Sequence, residues 1–215
     1  MIDLVFTQIM SVRQLQQLLN LLVHNLADTE RGGRPDEQRQ KMVTHVEDLL
    51  QHMSLTIDDF RDFFRTGQEQ MLFDLKESVG KILDLFAADL ERHGIETVFD
   101  AEDGLYVTGY GNEFSHVLLN LLNNAKEALV DKGSSAPRIH IRLFQEEGKK
   151  VITVRDNAGG VPDSIREQLF ESHFTTKKTG TGIGLYIAKI IIEKRLHGSI
   201  SAHNTGDGLE LRIEL

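Results

Sequence analysis

The chain has 215 residues, 40% of them hydrophobic and 27% charged. That is enough apolar material for one domain or two small ones, and it excludes wholesale disorder. Its 33 acidic residues outweigh 24 Lys and Arg, for a net charge of −9, which makes it a poor partner for nucleic acid. Cysteine is absent, excluding disulfides, thiolate zinc sites and cysteine nucleophiles, and no apolar run approaches the ~18 residues of a spanning helix.

In chain order, Val5, Ile9, Val12, Leu19, Val23 and Leu26 step by three and four, with Gln16 in the one gap, and predict a long amphipathic helix. Arg31-Gly-Gly-Arg-Pro-Asp36 reads as a turn. Met42, Val46, Leu49, Met53, Ile57, Phe60 and Phe64 mark a second helix, so residues 1–66 are expected to form an antiparallel helical hairpin. Leu18, Leu22, Leu50 and Phe63 widen the apolar stripe beyond what one partner helix covers. A homodimer that closes a four-helix bundle would cover it. Thr66-Gly-Gln-Glu is the expected hinge to a second domain, residues 67–215.

In that second domain the pattern predicts strands at 71–74, 95–99, 105–107, 138–144, 149–155, 199–203 and 209–215. Helices are expected at 75–93, 112–130, 165–170 and 185–196. Helices interleaved with mostly antiparallel strands indicate an α+β chain whose second domain is an α/β sandwich, with helices on one face of a mixed sheet.

Four constellations follow one another in this domain. In Asn120-Leu-Leu-Asn123-Asn124-Ala-Lys126-Glu127, Asn120 and Asn124 share a helix face amid leucines, and paired carboxamides suit a hard cation such as Mg²⁺. Asp156-Asn-Ala-Gly159-Gly160 follows a strand; an ionised carboxylate there accepts hydrogen bonds and can read an exocyclic amine. Phe170-Glu-Ser-His-Phe174-Thr-Thr-Lys177-Lys178 pairs two aromatics with a basic end fit for phosphate. Gly180-Thr-Gly182-Ile-Gly184-Leu185 admits close backbone approach at the start of a helix, yet lacks the Lys-Ser/Thr of a P-loop.

In this order and spacing the four resemble the N, G1, F and G2 boxes of the GHKL ATP-binding fold, specifically its two-component sensor histidine kinase branch, over about residues 70–215. The resemblance implies ATP between the Asn120 helix and a mobile lid at 172–184, with Asn120 and Asn124 holding Mg²⁺. It implies Asp156 on the adenine amine and Gly160 beneath the ring. Thr176, Lys177, Gly182, Gly184 and Leu185 would border the nucleotide. The relatives that hydrolyse ATP carry a Glu base four residues before the first box Asn; here that residue is His116, which favours phosphoryl transfer or binding over hydrolysis.

The N-terminal hairpin is similar to the dimerisation and phosphotransfer module of the same kinases. Gln14, Gln17, Leu19 and Asn20 match a subgroup's acceptor segment, but Arg13 stands at the acceptor His position, Leu18 at its Pro and Gln16 at its Arg. A guanidinium is permanently protonated and cannot be the usual phosphoacceptor. Three accounts stand open: a kinase-like chain that binds ATP without autophosphorylating, an altered acceptor segment, or another histidine, with His24 on the same helix side and His45 and His52 on the second helix.

The family reaction moves the γ-phosphoryl group of ATP to His and then to an Asp on a response-regulator receiver domain. Such a chain would lie in the cytoplasm, alone or as the cytoplasmic part of a membrane-bound sensor, without nucleic acid or direct membrane contact. The alternatives are a non-catalytic, nucleotide-gated dimeric signalling module, or another GHKL enzyme such as a serine kinase or slow ATPase.

Overall fold

The computed structural model describes residues 70–177 and 182–215. The N-terminal hairpin and its dimer seam, the boundary at residue 66, Arg13, His24 and residues 178–181 lie outside them.

The chain enters through a short strand, β1 (Met71–Asp74), whose last residue caps helix α1 (Leu75–Arg92): the Asp74 carboxylate accepts the Glu77 N–H at 3.0 Å. Gly94, with φ of +64°, ends that helix; its N–H reaches the Glu91 carbonyl and the Ile95 N–H reaches that of Leu90, a Schellman closure. Strands β2 (Glu96–Ala101) and β3 (Tyr106–Gly109) follow, then helix α2 (Gly111–Lys132), ended by Gly133 at φ +61°.

Strands β4 (Arg138–Glu146) and β5 (Lys149–Asp156) form a hairpin. Its two central residues, Glu147 and Gly148, both have positive φ, as the tightest hairpin turn requires. The short helix expected at 165–170 is split into one turn, α3 (Asp163–Arg166), and a 3₁₀ turn over Glu167–Phe170. The last helix, α4 (Gly184–Ile190), widens into a π turn over Ile191–Arg195 before strands β6 (Ser199–Asn204) and β7 (Leu209–Glu214).

β1 and β3 make a two-stranded antiparallel ribbon. The other strands form one mixed sheet in the order β2-β4-β5-β7-β6, parallel only between β2 and β4. Register makes one face of this sheet apolar. Ile139, Ile141 and Leu143 lie opposite Asp156, Val154 and Ile152, and the series continues through Leu211 and Ile213 to Ala202 and Ile200. Every one of these side chains is buried. Against them pack α1, α2 and the π turn, with Phe114, Val117, Leu118, Leu121, Leu122, Ala125 and Leu129 of α2 at the centre of the core.

The opposite sheet face is polar. Arg142 and Arg212 both lie over the Phe144 ring, at 4.8 and 5.9 Å, and flank Thr153; Thr153 and Val151, which pairs with Phe144, are buried on this side. Asp156 therefore ends a central strand on the apolar, helix-covered face, where a carboxylate needs a specific reason to be.

Candidate functional site

Glu113, His116, Asn120, Asn124 and Glu127 repeat every three or four residues and form one stripe along α2, beside its apolar face. The later chain covers this stripe in reverse order. Arg195, projected by the π turn, holds Glu113 through Nε and Nη2, at 2.8 to 3.1 Å, and stacks on the Tyr110 ring at 4.0 Å. Gly184 lies on Asn120, so close that a Cβ there would stand 3.0 Å from Asn120 Oδ1. Lys177 lies beyond, its ammonium 3.2 Å from Asn124 Oδ1 and paired with Glu127.

The amide of Asn124 is oriented by its own helix, since Nδ2 donates to the Asn120 carbonyl at 2.8 Å. Oδ1 is thereby turned to accept, and a cation already stands against it. Oxygen donors meeting a positive group suit Mg²⁺ in chemistry: a carboxamide, a nearby carboxylate and room for water are what a hard cation takes. Asn124 is the residue that would hold it, with Asn120 one turn away and Glu127 beside it.

The segment carrying Lys177 is pinned at its base. The His173 N–H donates to the Gly182 carbonyl at 3.0 Å, and a Cβ on Gly182 would come within 2.6 Å of the His173 and Phe174 backbone. Gly182, at φ +66°, is thus required for packing as well as conformation. Phe170 is buried and Phe174 half-buried. Thr176 is exposed and Leu185 half-buried.

A second cluster surrounds Asp156. Asp156 is 6% exposed, and two backbone donors converge on its Oδ1: Ala158 N–H at 2.8 Å and Leu209 N–H at 3.3 Å. Among the described residues no protein donor reaches Oδ2. Burial raises this carboxyl above its ordinary value, against the opposing pull of those two N–H groups. A further donor on Oδ2 would hold it ionised.

Neighbouring residues fix the frame. Gly208 is packed on the Asp156 carbonyl, where a Cβ would be 1.8 Å from the oxygen. Asn204 clamps both backbone groups of Val161, and its Oδ1 fills the space a Cβ on Gly160 would need. Gly160 is therefore demanded by the protein's own packing, while the corresponding space at Gly159 is open. Asn157 ties the turn to the start of β4 through the Arg138 N–H and the Ala136 carbonyl.

The structure thus gathers the sequence candidates into two groups, Asn120, Asn124, Lys177, Gly182 and Gly184 on the α2 stripe, and Asp156 with Gly160 at the end of β5, on which α2 packs. Asn204 and the Glu113–Arg195 pair were not singled out by the sequence reading, and Glu127 entered it only as the end of the first constellation; their roles needed partners distant in sequence. Among the described residues, two open concavities of about 460 and 600 Å³ lie beside β2.

Residues 109–215 match the family model described as histidine kinase-, DNA gyrase B-, and HSP90-like ATPase. The chain is 32% identical over 191 residues to the two-component sensor PprA of Pseudomonas aeruginosa, an alignment covering 85% of this chain and 20% of that protein. It spans about a fifth of such a sensor's length. Among solved structures it is similar to the nucleotide-free catalytic domain of histidine kinase ThkA, at 28% identity and a TM-score of 0.62, covering 69% of this chain and 95% of that one. The structure of ThkA in complex with response regulator protein TrrA matches in fold at 21% identity and a TM-score of 0.67, covering 96% of this chain and 60% of that one.

Proposed function

Residues 109–215 belong to the histidine kinase-, DNA gyrase B- and HSP90-like ATPase family and the chain carries the ATP-binding core of a two-component sensor histidine kinase; on that footing we propose how its own residues bind nucleotide and what they do with it. The observation that carries the reading is Asp156: a buried carboxylate with one oxygen clamped by backbone donors and the other met by none among the described residues. An acceptor so placed suits the exocyclic amine of adenine. Leaving it without a donor in a closed site is unfavourable, which gives the site a preference for amino purines.

The α2 stripe takes the triphosphate end. Asn124, with Asn120, holds Mg²⁺, which when bound neutralises charge on the phosphates. Lys177 supplies the protein's own positive charge, Gly182 and Gly184 keep side chains out of the way, and Thr176 and Leu185 border the nucleotide. No carboxylate stands at the position of a hydrolytic base: residue 116 is His, and Glu113, one turn earlier, is held by Arg195. Water activation is therefore poorly supported, and the site favours holding ATP for transfer to another group.

The acceptor is where this chain departs from the family reaction. Arg13 stands at the His position, so we read the chain as an ATP-binding core that autophosphorylates poorly. Residues 1–66 are its dimerising hairpin, and a response-regulator receiver domain is its partner class, as in the ThkA–TrrA complex. The second reading, favoured by Arg13, is a nucleotide-gated dimer that signals by shape alone. Titration calorimetry with Mg-ATP tests the binding; no heat at micromolar chain would overturn it. Radiolabel from γ-³²P-ATP separates the rest, because phosphohistidine is lost in acid and phosphoserine in alkali, while a binder retains nothing.

A further inference from the structure

The widening of α4 places one side chain that neither the adenine nor the metal assignment uses. In a π turn the N–H bonds five residues back instead of four, as Leu196 N–H does to the Ile191 carbonyl at 3.1 Å. The residues leaving the turn are fixed to other parts of the fold. Arg195 reaches the start of α2, where it holds Glu113 and stacks on Tyr110. Leu196 packs on Gly109, where a Cβ would stand 2.4 Å from its Cδ2. His197 takes a left-handed backbone at φ +56°, and a Cβ on Gly198 would come within 2.3 Å of the Glu214 carbonyl oxygen.

The other end of α4 bears on the site, since Gly184 lies on Asn120. Glu113 and Asn120 are about two turns apart on α2, so α4 runs antiparallel to it and touches it at both points. The fit at Gly184 leaves little slack. A Cβ there would already be 3.0 Å from Asn120 Oδ1, and sliding α4 by one residue's rise, about 1.5 Å, would change what that amide can reach. Glu113 is 4% exposed and Arg195 a third exposed. The guanidinium meets the carboxylate through two N–H groups, which fixes direction as well as distance.

Resting on the ATP-site reading above, we propose that Arg195 is a positioning residue of the nucleotide site: by forking onto Glu113 it sets the register of α4 along α2, and with it the clearance of Gly184 over the Asn120 amide where the phosphate end binds. Arg195 itself touches no nucleotide in this role. A purely structural ion pair predicts something different. Arg195 removed alone strands a buried Glu113, which destabilises the fold, and removing both charges lifts that penalty. Were the pair only structural, stability and ATP affinity would recover together. Positioning predicts that stability recovers while affinity stays low, because an apolar pair has no fork to fix the register.

The experiment combines denaturant unfolding with Mg-ATP titration calorimetry on the full chain, for the unmodified protein, Arg195→Met, Arg195→Met with Glu113→Leu, and Arg195→Lys. Arg195→Met should bind Mg-ATP roughly tenfold more weakly, within the range that changes away from a ligand impose on its affinity. The double variant should regain most of its unfolding midpoint and still bind several-fold more weakly than the unmodified chain. Arg195→Lys keeps a charge against Glu113 without the planar fork, so it should unfold close to the unmodified chain and still lose affinity several-fold. That variant decides the matter if Arg195→Met does not fold. Unchanged Mg-ATP affinity in a folded Met or Lys variant would overturn the proposal, as would affinity that recovers together with stability in the double variant. A double variant whose midpoint stays low would also overturn it, since the pair would then not be what joins the two helices. If the unmodified chain binds no Mg-ATP, the ATP reading of the site falls and this one with it. If it binds Mg-ATP and the folded variants bind equally well, only this inference falls.

Discussion

Replacing Asp156 by Asn tests the adenine end of the site with a change of almost no volume. The Asn carbonyl can accept the Ala158 and Leu209 N–H bonds that now converge on Oδ1, so the junction of the end of β5 with the start of β7 should survive. What disappears is the charged acceptor at Oδ2, replaced by an NH₂ that presents donors to the adenine amine. A hydrogen bond to a charged group contributes about 1.5–3 kcal/mol, so ATP affinity should fall roughly 10- to 150-fold. An inosine nucleotide, which lacks the amine, should bind the unmodified chain weakly and lose little further in the variant.

Stability should move the other way. Burial raises the Asp156 carboxyl above its ordinary 3.8. A carboxyl raised on folding stabilises the fold while protonated and loses that stabilisation as pH rises through its raised value. At neutral pH the nucleotide-free protein therefore carries an electrostatic cost that the Asn variant lacks. The variant should melt at the same or higher temperature at pH 7, and its advantage should shrink as pH falls through the interval between the raised and ordinary values. Thermal melts across pH with calorimetric binding decide the matter. Unchanged ATP affinity in a folded variant would refute the adenine assignment, and a large loss of stability at pH 7 would refute the electrostatic account of the turn.

Three further outcomes are expected. Gly208→Ala places a methyl 1.8 Å from the Asp156 carbonyl oxygen and should cost about 1–3 kcal/mol of stability along with ATP binding, whereas Gly206→Ala, in open space, should change either by less than ~0.5 kcal/mol; equal melting temperatures for the two would contradict the packing argument. Arg195→Met strands a Glu113 that is 4% exposed and, with the guanidinium itself partly solvated, should cost about 2–3 kcal/mol in denaturant unfolding, most of it recovered when Glu113 is also made apolar; no recovery in the double variant would show the pair is not the cause. Arg13→His alone should restore little acid-labile phosphate, and combining it with Gln16→Arg and Leu18→Pro should restore more; rapid acid-labile labelling of the unmodified chain would show that another histidine, His24 first, is the acceptor.

Much of this site was written locally. Asn120 and Asn124 stand one helical turn apart amid leucines, Asp156 follows an alternating strand, and the glycines cluster where backbone must approach something. These patterns depend on neighbours in sequence, and the helix and strand periods convert them directly into shared faces and strand ends. The hairpin at Glu147-Gly148 and the Gly94 helix end were legible for the same reason, since each rests on a backbone angle that few residues adopt. The π turn was not legible: Ile191–Arg195 carries the apolar spacing of an ordinary helix, and only the reach of Arg195 to Glu113 shows why the widening matters.

What the tertiary structure alone decided is which groups meet. Glu127 reads as one more charge on a helix until Lys177, 50 residues away in sequence, is placed against it. Gly160 and Gly208 look alike in sequence, yet one is required by Asn204 and the other by the Asp156 carbonyl. Residue type and spacing determine what a side chain can do and which face carries it. The distances, burial and competing partners that turn that capacity into a site arise from contacts between distant segments, and those exist only once the sheet has brought β5 beside β7 and α2 beneath the segment that returns over it.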